Sequence, residues 1–575
     1  MRNQCIIFCI LFFGLNKALA QSIVLSEGVN MIQHDGNLVV KKNWINNGRF
    51  QQNGGYVIFG GENQLLSGTK PTVFKNWLIQ TGSTTNILSF NNVVQSILKV
   101  DGQLYVNDHL TLISNANETA LVDGAGIGTI HGIIKAQAYL KNGFGYKYLG
   151  SPFQDATIDQ MSNWVNLNAS FPSVYANNEN VLYNGWLNYM QPSNILIPMK
   201  GYAFQMGNEV SPKLIQLSGS VNNGDMAIPL FNNNQPYTKG FNLISNPYPS
   251  PIDWDAAIGW NKINVDNAIY YFDADSVDLY GGQYNTYING ISSNGLANNI
   301  IPAFQSFFVH VSDGEYPVAG NLGFSNLVRL NKISSSYRKV NSTQSRTAIK
   351  LTVKSINSNR FDNLVIYEDQ SATLQNSSKL DAIKLWNTGL LTPNFYIISN
   401  NKKLAIHAIN NLDNVGIIPL GISLQEEGMV YFNKQDLGLN KLSSHCYLHD
   451  KLLNKLISLD NDQGYETNLI KGPIDNRFEL VVSKNVLFEL PFKEMTNANH
   501  NFIVYAEGKK IYFKINSINS RTRVILTNLN GQQLFIKEYE MAGLYTIENL
   551  LSSGIYIIEL SDSKNKLVKK IFIGE

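Results

Sequence analysis

The chain has 575 residues, of which 45 are Lys or Arg and 43 are Asp or Glu. At roughly 150 residues per domain, this length allows about four domains. The near balance of charge excludes a strongly basic protein that seeks nucleic acid or an anionic membrane, so no nucleic-acid partner is expected. The 44% of apolar and 11% of aromatic residues exclude a disordered chain.

The first twenty residues have the pattern of a secretory signal peptide. Arg2 provides a positive start, Cys5–Leu15 is an apolar run, and Ala18-Leu19-Ala20 is a cleavage signal. The run is too short to span a bilayer as a stable anchor. We therefore predict that residues 1–20 are removed between Ala20 and Gln21, and that the mature chain is exported and has no transmembrane helix. The alternative is an uncleaved anchor.

Removal of this segment would leave Cys446 as the remaining cysteine, so no disulfide could form within the chain. An exported protein without disulfides must be stabilised by packing, which suits large β domains. We expect Cys446 to be a small buried residue of a strand. The neighbouring His445 and His449 suggest a metal site, but in a strand both point away from the cysteine. We predict neither a metal nor a cofactor.

Alternation of apolar and polar residues, broken by Gly, Asn and Asp turns, dominates the sequence, and convincing helical periodicity is nearly absent. This pattern predicts an all-β, multidomain fold. After the signal peptide we expect a β-solenoid at 21–138, a duplicated β module at 139–335, a two-sheet β-sandwich at 346–485 and a compact terminal unit at 498–575.

The β-solenoid prediction depends on short strands that recur roughly every ten to twenty residues. Examples are Trp44–Phe50, Gly55–Gly61, Gln64–Gly68 and Phe74–Ile79. Their phrases, N-x-G-x-F, G-x-V-x-F-x-G and Q-x-L-x-G, resemble the β-solenoid start of large surface proteins of Bacteroidetes-type bacteria. Trp77 is an inserted position in the last phrase, where the family has F-x-N-L-x-[IV].

Residues 139–335 contain sequence blocks that recur in the same order, which predicts two copies of one β module. The matched blocks are Tyr146–Phe153 with Phe241–Tyr248, Val174-Tyr175 with Ile269-Tyr270, Gly185–Tyr189 with Gly282–Tyr287, and Ile197–Phe204 with Ile301–Phe308. The first two pairs are offset by 95 residues and the last by 104. The second copy is similar to a block that recurs beside the solenoid in the same surface proteins.

The terminal unit contains Asn528-Leu529-Asn530-Gly531, then Leu551–Tyr556, then Lys569-Lys570-Ile571 just before the chain ends. This order resembles the C-terminal sorting domain (type A) of the type IX secretion system. That family has a D-x-x-G turn, an L-x-x-G-x-Y phrase and a final Lys-bearing strand. Asn528 stands where the acid is usual. The motif residues implied by the resemblance are Asn528, Gly531, Gly554, Tyr556 and Lys570.

The same resemblance implies an Ig-like sorting domain that is recognised by the type IX secretion machinery. The protein would then be released, or fixed to surface lipopolysaccharide, after the tail is removed. The alternative is an ordinary Ig-like terminal domain with no sorting role.

Few residues suggest chemistry. Asp253 and Asp255 offer a pair of carboxylates, but after Pro251 a turn or helix start capped by Asp253 is expected. Asp273–Asp278 is rich in oxygen and could hold Ca²⁺, but it lacks the Gly at position 6 and the Glu at position 12 of an EF-hand, so a solvated hairpin turn is favoured. Candidate glycan-binding aromatics are found in the second copy, where exposed rings could stack on sugars and buried ones would fill the core. They are Trp254, Trp260, Tyr284 and Tyr287.

These patterns favour a protein that is not an enzyme. The leading hypothesis is an exported cell-surface or secreted protein that is adhesin-like and contacts matrix, extracellular glycans or proteins. One alternative is a secreted polysaccharide hydrolase with a carboxylate site at Asp253 and Asp255. The other is an inert component of a structural surface layer.

Overall fold

The computed structural model describes residues 22–573, apart from residues 90 and 565 and the segments 182–183, 332–345, 374–376, 438–441, 461–463, 485–501, 508–509, 516–520, 529–530 and 548–553. The predicted cleavage site, Ala20 and Gln21, lies outside the described residues. Nearly every regular element is a strand, which confirms the predicted all-β fold. Among the described residues, no helix is long and apolar enough to cross a membrane.

The chain divides into two compact units. The first takes in the described parts of Met1–Ser342 and of Gln375–Leu390, and the second those of Thr343–Leu374 and Leu391–Glu575. The segment around 375–390 therefore belongs to the first unit, although the strands on both sides of it in the sequence belong to the second.

A parallel β-solenoid opens the first unit, as the spacing of its strands predicts. Its strands are β1 (Ile23–Leu25), β2 (Asn30–Gln33), β3 (Leu38–Val40), β4 (Trp44–Asn46), β5 (Arg49–Gln52), β6 (Val57–Phe59), β7 (Gln64–Ser67), β8 (Val73–Ile79), β9 (Thr84–Ile87), β10 (Asn92–Val100), β11 (Gln103–Tyr105), β12 (Leu110–Leu112), β13 (Leu121–Val122), β14 (Thr129–His131) and β15 (Ile134–Leu140). One face has the order β1-β4-β7-β9-β11-β14 and a second has β3-β6-β8-β10-β12-β15. Strands β2 and β5 form a third face on the first two coils.

Apolar side chains stack in register inside the coils. Val57 pairs with Trp77, and Trp77 pairs with Leu98, so each column stays apolar from coil to coil. The rings of Phe74 and Trp77 stack with centroids 4.4 Å apart, and all four of these residues are fully buried. Burial of apolar and aromatic area of this kind is the main stabilising term for the solenoid.

Buried amide side chains satisfy the backbone where the coils turn. Gln64 is fully buried, accepts the N–H of Gly61 at 2.6 Å, and donates to the carbonyls of Val40 and Lys42 at 3.0 and 2.7 Å. Buried backbone groups need such partners, since an unsatisfied one costs about 1–3 kcal/mol. The abundant amide residues of this region therefore have a structural role at the corners.

The duplicated module follows in the same unit. Its strands are β16 (Tyr146–Leu149), β17 (Val174–Asn177), β18 (Trp186–Asn188), β19 (Tyr202–Gln205), β20 (Lys213–Gly219), β21 (Met226–Asn232), β22 (Phe241–Ser245), β23 (Ile252–Asp253), β24 (Trp260–Ile263), β25 (Val265–Ala274), β26 (Gly282–Ile288), β27 (Ile291–Ser292), β28 (Ile300–Ile301), β29 (Ser306–Val311) and β30 (Val318–Phe324). The first copy has the strand order β16-β19-β17-β18 and the second has β22-β29-β25-β26-β27, so the matched sequence blocks occupy equivalent strands. Strand β20 pairs antiparallel with β15 at the end of the solenoid.

The strand register corrects the alignment of the last block. Leu149 pairs with Tyr202 in the first copy, and Ile244 pairs with Phe307 in the second. Equivalent residues of β19 and β29 are therefore 105 apart rather than 104. The two Ile-Pro pairs are offset by 104 residues instead, because the turn between the proline and β29 is one residue longer than the turn between the proline and β19.

The two copies contact each other reciprocally. The N–H of Gly150 donates to the carbonyl of Phe304 at 2.9 Å, and the N–H of Ser245 donates to the carbonyl of Met199 at 2.8 Å. Both acceptors belong to residues with positive φ, 65° at Met199 and 67° at Phe304. Because equivalent residues make both bonds, the copies are related by an approximate two-fold rotation.

The second unit is built around one hydrogen-bonded series of strands. They are β31 (Ala348–Ser355), β32 (Phe361–Glu368), β34 (Asn394–Ser399), β35 (Lys402–Ile409), β36 (Ile417–Leu424), β37 (Gly428–Leu437), β38 (His445–Asp450), β39 (Lys455–Ser458), β40 (Tyr465–Leu469) and β41 (Gly472–Ser483); the helix α1 (Ser377–Leu380) and strand β33 (Ala382–Ile383) belong to the first unit. The order is β39-β38-β41-β36-β34-β35-β32-β31-β37-β40. Hydrogen bonding thus runs through all these strands rather than through two separate sheets.

Hydrogen bonds from a buried ion pair bring the ends of this series together. Asp450 of β38 is bound by Arg477 of β41 at 2.7 Å and accepts the hydroxyl of Tyr465 of β40 at 2.9 Å. Since β40 is at the opposite end of the series, the sheet curls on itself. Cys446 of β38 is fully buried in this unit, as predicted, and burial raises its pKa to about 12.

The terminal sandwich belongs to the same unit. Its strands are β42 (Phe502–Glu507), β43 (Lys510–Ile515), β44 (Thr522–Asn528), β45 (Gln533–Tyr539), β46 (Gly543–Ile547), β47 (Gly554–Ser561) and β48 (Lys566–Ile573). They form two sheets, β42-β43-β46 and β45-β44-β47-β48, around a core that includes Phe513, Leu526 and Ile558.

Candidate functional site

The candidate glycan-binding aromatics of the second copy pack inside the module. Trp254 and Tyr287 are 2% exposed and Tyr284 is 6% exposed, while Trp260 is half-buried. The indole N–H groups of Trp254 and Trp260 donate to the carbonyls of Asn267 and Asp253 at 2.7 and 2.9 Å. The three buried rings have no free face to offer a sugar, and Trp260 packs on Trp254 and Phe324 with centroids 4.8 and 4.9 Å apart, so their geometry matches the packing alternative.

The paired carboxylates lie on a turn and are held by neighbouring groups. Asp253 accepts the N–H of Asp255 at 2.9 Å and the amide of Asn299 at 2.6 Å. Asp255 accepts the hydroxyl of Tyr287. Asp253 ends strand β23 and forms an Asx turn rather than capping a helix, because its own carboxylate bonds the backbone two residues on.

A lysine completes this cluster. Lys262 Nζ lies 3.5 Å from the centroid of the Trp254 ring, and burial lowers its pKa to about 8, partly opposed by Asp255 and Asp253. Burial raises the pKa of Asp255, and the Tyr287 hydroxyl opposes that change. A cation on a ring and two hydrogen-bonded carboxylates form a compact structural network.

The other residues with candidate chemistry are also engaged structurally. Asp275, in the acidic loop between β25 and β26, accepts the N–H of Val277 at 2.9 Å, which is a hairpin Asx turn. His445 contacts Asp460 at 3.0 Å and His449 contacts Glu479 at 3.3 Å. Among the described residues, no group of three or more His, Cys, Asp or Glu side chains is placed to hold a metal ion.

The predicted sorting-motif residues lie in a turn, at strand ends and within strands of the terminal sandwich. Asn528 ends β44 and accepts the N–H of Gly531 through its carbonyl at 3.0 Å, and Gly531 has a φ of +80°. Gly554 begins β47, Tyr556 is 5% exposed, and Lys570 lies in β48. The turn therefore closes with Asn528 in place of the usual acid, because its side-chain oxygen accepts the N–H of Gln532 at 3.0 Å.

An exposed strip of aromatic rings runs over the first copy instead and includes one ring, Tyr280, from the second copy. We call Phe171, Tyr280, Tyr146, Tyr175 and Trp186 the aromatic strip. Successive ring centroids in this order are 5.9, 6.2, 6.4 and 6.4 Å apart. Phe171 is 60% exposed and Tyr280 55%, and the other three rings are half-buried. Successive ring planes are tilted by 79°, 50°, 56° and 72°, so the strip is a partly exposed apolar patch whose rings meet at an angle.

The strands place polar groups beside these rings. Gln205 pairs with Tyr146, and Asn188 pairs with Tyr175, so each amide lies on the same face as the ring opposite it. Burial, together with neighbouring Tyr280, raises the pKa of both Tyr146 and Tyr175, so their hydroxyls remain protonated donors at neutral pH. The strip therefore combines ring faces with hydroxyl and amide groups.

The equivalent face of the second copy is covered by the chain itself. Phe241 and Tyr270, which correspond to Tyr146 and Tyr175, are 4% and 1% exposed. Residues 377–390 lie across β25 and β26, where the N–H of Tyr284 donates to the Asn387 side chain at 2.9 Å and the N–H of Thr388 donates to the carbonyl of Gly282 at 3.0 Å. Duplication thus leaves one of two equivalent faces open.

Sequence reasoning missed the strip because it combines a loop residue, Phe171, with a hairpin residue from the other copy, Tyr280. The internal alignment carried part of the signal, since it matched Tyr146 and Tyr175 with Phe241 and Tyr270. Nothing in the sequence indicated which copy would be covered.

Comparisons with known proteins assign the chain to a family but provide no argument about its function. The search of the curated proteins finds no match. Among solved structures, a "Biofilm associated protein - BSP domain" is similar over 77% of this chain and 92% of that chain, at 9% identity and a TM-score of 0.15. Values this low carry no argument about function. The family model described as "Domain of unknown function (DUF8693)" matches residues 33–482, which is more than three quarters of the chain and stops before the terminal sandwich. The chain belongs to this family of proteins with the DUF8693 domain.

Proposed function

We propose that this protein is a non-catalytic surface or secreted protein that binds extracellular glycans in an adhesin-like way. The observation that carries the proposal is the aromatic strip on the first copy. Its exposed ring faces can pack on the apolar faces of pyranose sugars, and the exposed amide of Asn188, which pairs with Tyr175, can bond sugar hydroxyls. The solenoid and the paired copies provide a rigid support, which limits the ordering cost of binding.

The coverage of the second copy supports this choice. Where no ligand is needed, the chain protects an equivalent aromatic face with residues 377–390. Leaving the first face open exposes apolar area that a protein would otherwise bury, and such patches mark interaction sites.

Binding to a panel of neutral glycans tests the proposal. The double variant Phe171→Ala with Tyr280→Ala removes the two most exposed rings of the strip, and we expect at least about a tenfold loss of affinity, since each stacked ring contributes about 1 kcal/mol or more. Tyr237→Ala is the matched control, because Tyr237 is 73% exposed and lies outside the strip. Unchanged binding in the double variant would remove the support that the strip gives.

The non-catalytic part of the proposal has its own test. The Asp253→Asn and Asp255→Asn variants should bind polysaccharides as the natural protein does, and the change should affect only the stability of the fold. Turnover of a polysaccharide by the natural protein that disappears in either variant would instead establish the hydrolase alternative.

We further propose export through the type IX secretion system, which the tail resembles. Fractionation of cells that express the chain with and without residues 498–575 tests this. We expect the shortened chain to stay in the periplasm as an intact, protease-resistant protein. Arrival of the shortened chain outside the cell would refute the sorting role.

A further inference from the structure

A polar groove of about 560 Å³ opens on the side of the solenoid. It is lined by β5, by the Lys70–Val73 segment that leads into β8, and by Gln95 of β10. The groove exists because β2 and β5 form the third face on only the first two coils, and in the described part of the following coils no strand continues that face. Its volume is in the usual range of small-ligand sites, about 300–1,000 Å³.

A β-bulge lies beside one lining residue. The pairing of β8 with β10 shifts between Val94 and Ile97, where β10 has one residue more than β8. Gln95 lies in this irregular stretch and lines the groove. Bulges commonly re-aim side chains at functional sites.

The lining is cationic and rich in amides. Arg49 and Lys70 are exposed at the groove, together with the side chains of Gln51 and Asn53. Lys75 Nζ donates to the carbonyl of Asn53 at 2.9 Å, which places a third cation beside the lining. None of the described residues that line the groove is acidic.

These three cations form no ion pair with a described carboxylate. Within the described ranges, Arg49, Lys70 and Lys75 take part in no ion pair. Since the chain as a whole carries a net charge of only +2, this concentration of positive charge is local. A local positive groove attracts an anion by charge complementarity.

We infer that the groove binds an acidic polysaccharide, through a sugar that carries a carboxylate or sulfate. The Arg49 guanidinium can make two parallel bonds to the anionic group, and Lys70 can pair with a second charge along the chain. Gln51, Asn53 and Gln95 can bond the ring hydroxyls. This site goes beyond the proposed function, because it lies on the solenoid and requires charge, whereas the aromatic strip lies on the first copy and requires ring faces.

Calorimetric titration of the purified protein with oligogalacturonate tests the inference. The methyl ester of the same oligomer is the matched ligand, because it keeps the sugar rings and removes the charge. We expect binding to the acid at least about tenfold tighter than to the ester, and binding that weakens as salt is raised. A sulfated oligosaccharide of similar length, run in parallel, decides between carboxylate and sulfate.

The double variant Arg49→Gln with Lys70→Gln should lose at least about tenfold in affinity, since each charge-assisted bond is worth more than a neutral one. The control Lys42→Gln with Lys135→Gln makes the same change of charge on the solenoid outside the groove. Both lining cations are exposed, so the melting temperature should stay unchanged. Equal binding of acid and ester, equal binding by the groove variant, or equally tight binding of single-stranded DNA would overturn the inference.

The two binding sites can fail separately. The aromatic-strip variant Phe171→Ala with Tyr280→Ala should keep full affinity for oligogalacturonate. If the natural protein binds oligogalacturonate but no neutral glycan, the proposal for the groove is retained and that for the strip is refuted. If it binds neutral glycans but not oligogalacturonate, the proposal for the strip is retained and that for the groove is refuted.

Discussion

Replacing Asp450 with alanine tests whether a buried ion pair holds the second unit's sheet closed. The Asp450 side chain is 0% exposed, and Arg477, at 12%, donates to it through Nε and Nη2 at 3.0 and 2.7 Å. Tyr465 donates its hydroxyl at 2.9 Å, and the N–H groups of Leu452 and Leu453 donate at 3.1 and 3.2 Å. The substitution takes the carboxylate from a largely buried guanidinium, which keeps its bonds to Thr467 Oγ1 at 2.9 Å and to the Asn468 carbonyl at 3.4 Å. We therefore expect the free energy of unfolding to fall by about 3 kcal/mol, the low end of the cost of breaking a buried pair.

The assay uses the thiol of Cys446, which lies on the same strand and is fully buried. The seven tryptophans of the chain are all in the first unit, so their fluorescence does not report this transition. The rate of Cys446 labelling as a function of urea measures the opening of β38, in a chain that lacks the first twenty residues and their two cysteines. A fall of about 3 kcal/mol in the free energy of unfolding should make Cys446 react at a much lower urea concentration.

Two further variants make the reasoning refutable. Lys451→Ala breaks a 2.7 Å pair with Glu479 beside the same strands, but Lys451 is 37% exposed, so the expected loss is below about 1 kcal/mol. Asp450→Leu combined with Arg477→Met removes both charges and should recover most of the loss. The explanation would be wrong if Asp450→Ala cost no more than Lys451→Ala, or if the double variant were as unstable as the single one.

Three other outcomes follow from buried and half-buried polar groups of the first unit. Arg329→Met removes bonds to the Ser250 hydroxyl at 2.8 Å and to the Val122 carbonyl at 2.6 Å. Amide hydrogen exchange around Val122 should become faster, and the free energy of unfolding should fall by at least about 2 kcal/mol. Unchanged exchange would show that Arg329 does not hold the Val122 segment in place. Gln64→Leu takes the partner of the Gly61 N–H and of the Lys42 carbonyl, and one of the two donors of the Val40 carbonyl, which still accepts the Gly60 N–H at 2.9 Å. The urea midpoint of the solenoid, followed by tryptophan fluorescence, should fall by the equivalent of about 2 kcal/mol, with exposed Lys42→Leu as the control. Lys262 has a folded pKa of about 8 against 10.5 in the unfolded chain, so between these values only the unfolded chain keeps the proton, and stability rises with pH. Lys262→Met should abolish that rise in unfolding experiments between pH 7 and 11, and a variant that kept the whole rise would show that other groups cause it.

The local sequence was sufficient for the solenoid and for the correspondence between the copies. Trp44, Val57, Trp77 and Leu98 recur at strand spacing, and a parallel coil is the arrangement that buries all of them at once. The matched Tyr146 and Phe241 segments fold into equivalent strands because the same alternation and the same Ser-Pro or Asn-Pro turn specify them. Phe153 N–H bonds Ser151 Oγ at 3.0 Å, and Tyr248 N–H bonds Asn246 Oδ1 at 3.0 Å.

The candidate binding surfaces could not be predicted in the same way. The sequence drew attention to Trp254, Tyr284 and Tyr287 because aromatic residues are dense there, but density does not distinguish a core from a surface. Trp254 and Tyr287 fill the core of the second copy, and Tyr284 packs against Tyr148 of the first copy. Contact between the copies also brings Tyr280 beside Phe171. The groove on the solenoid likewise depends on the coil after β5, where the described residues form no further strand on the third face.

What the sequence by itself determined is the strand content, the coil and the repetition of a module, since these follow from side-chain period and turn chemistry within a few residues. The tertiary structure decided which of two equivalent aromatic faces stays open. That choice depends on residues 377–390, which lie more than one hundred positions away from the face they cover and pack on it through backbone and amide bonds that no local pattern encodes.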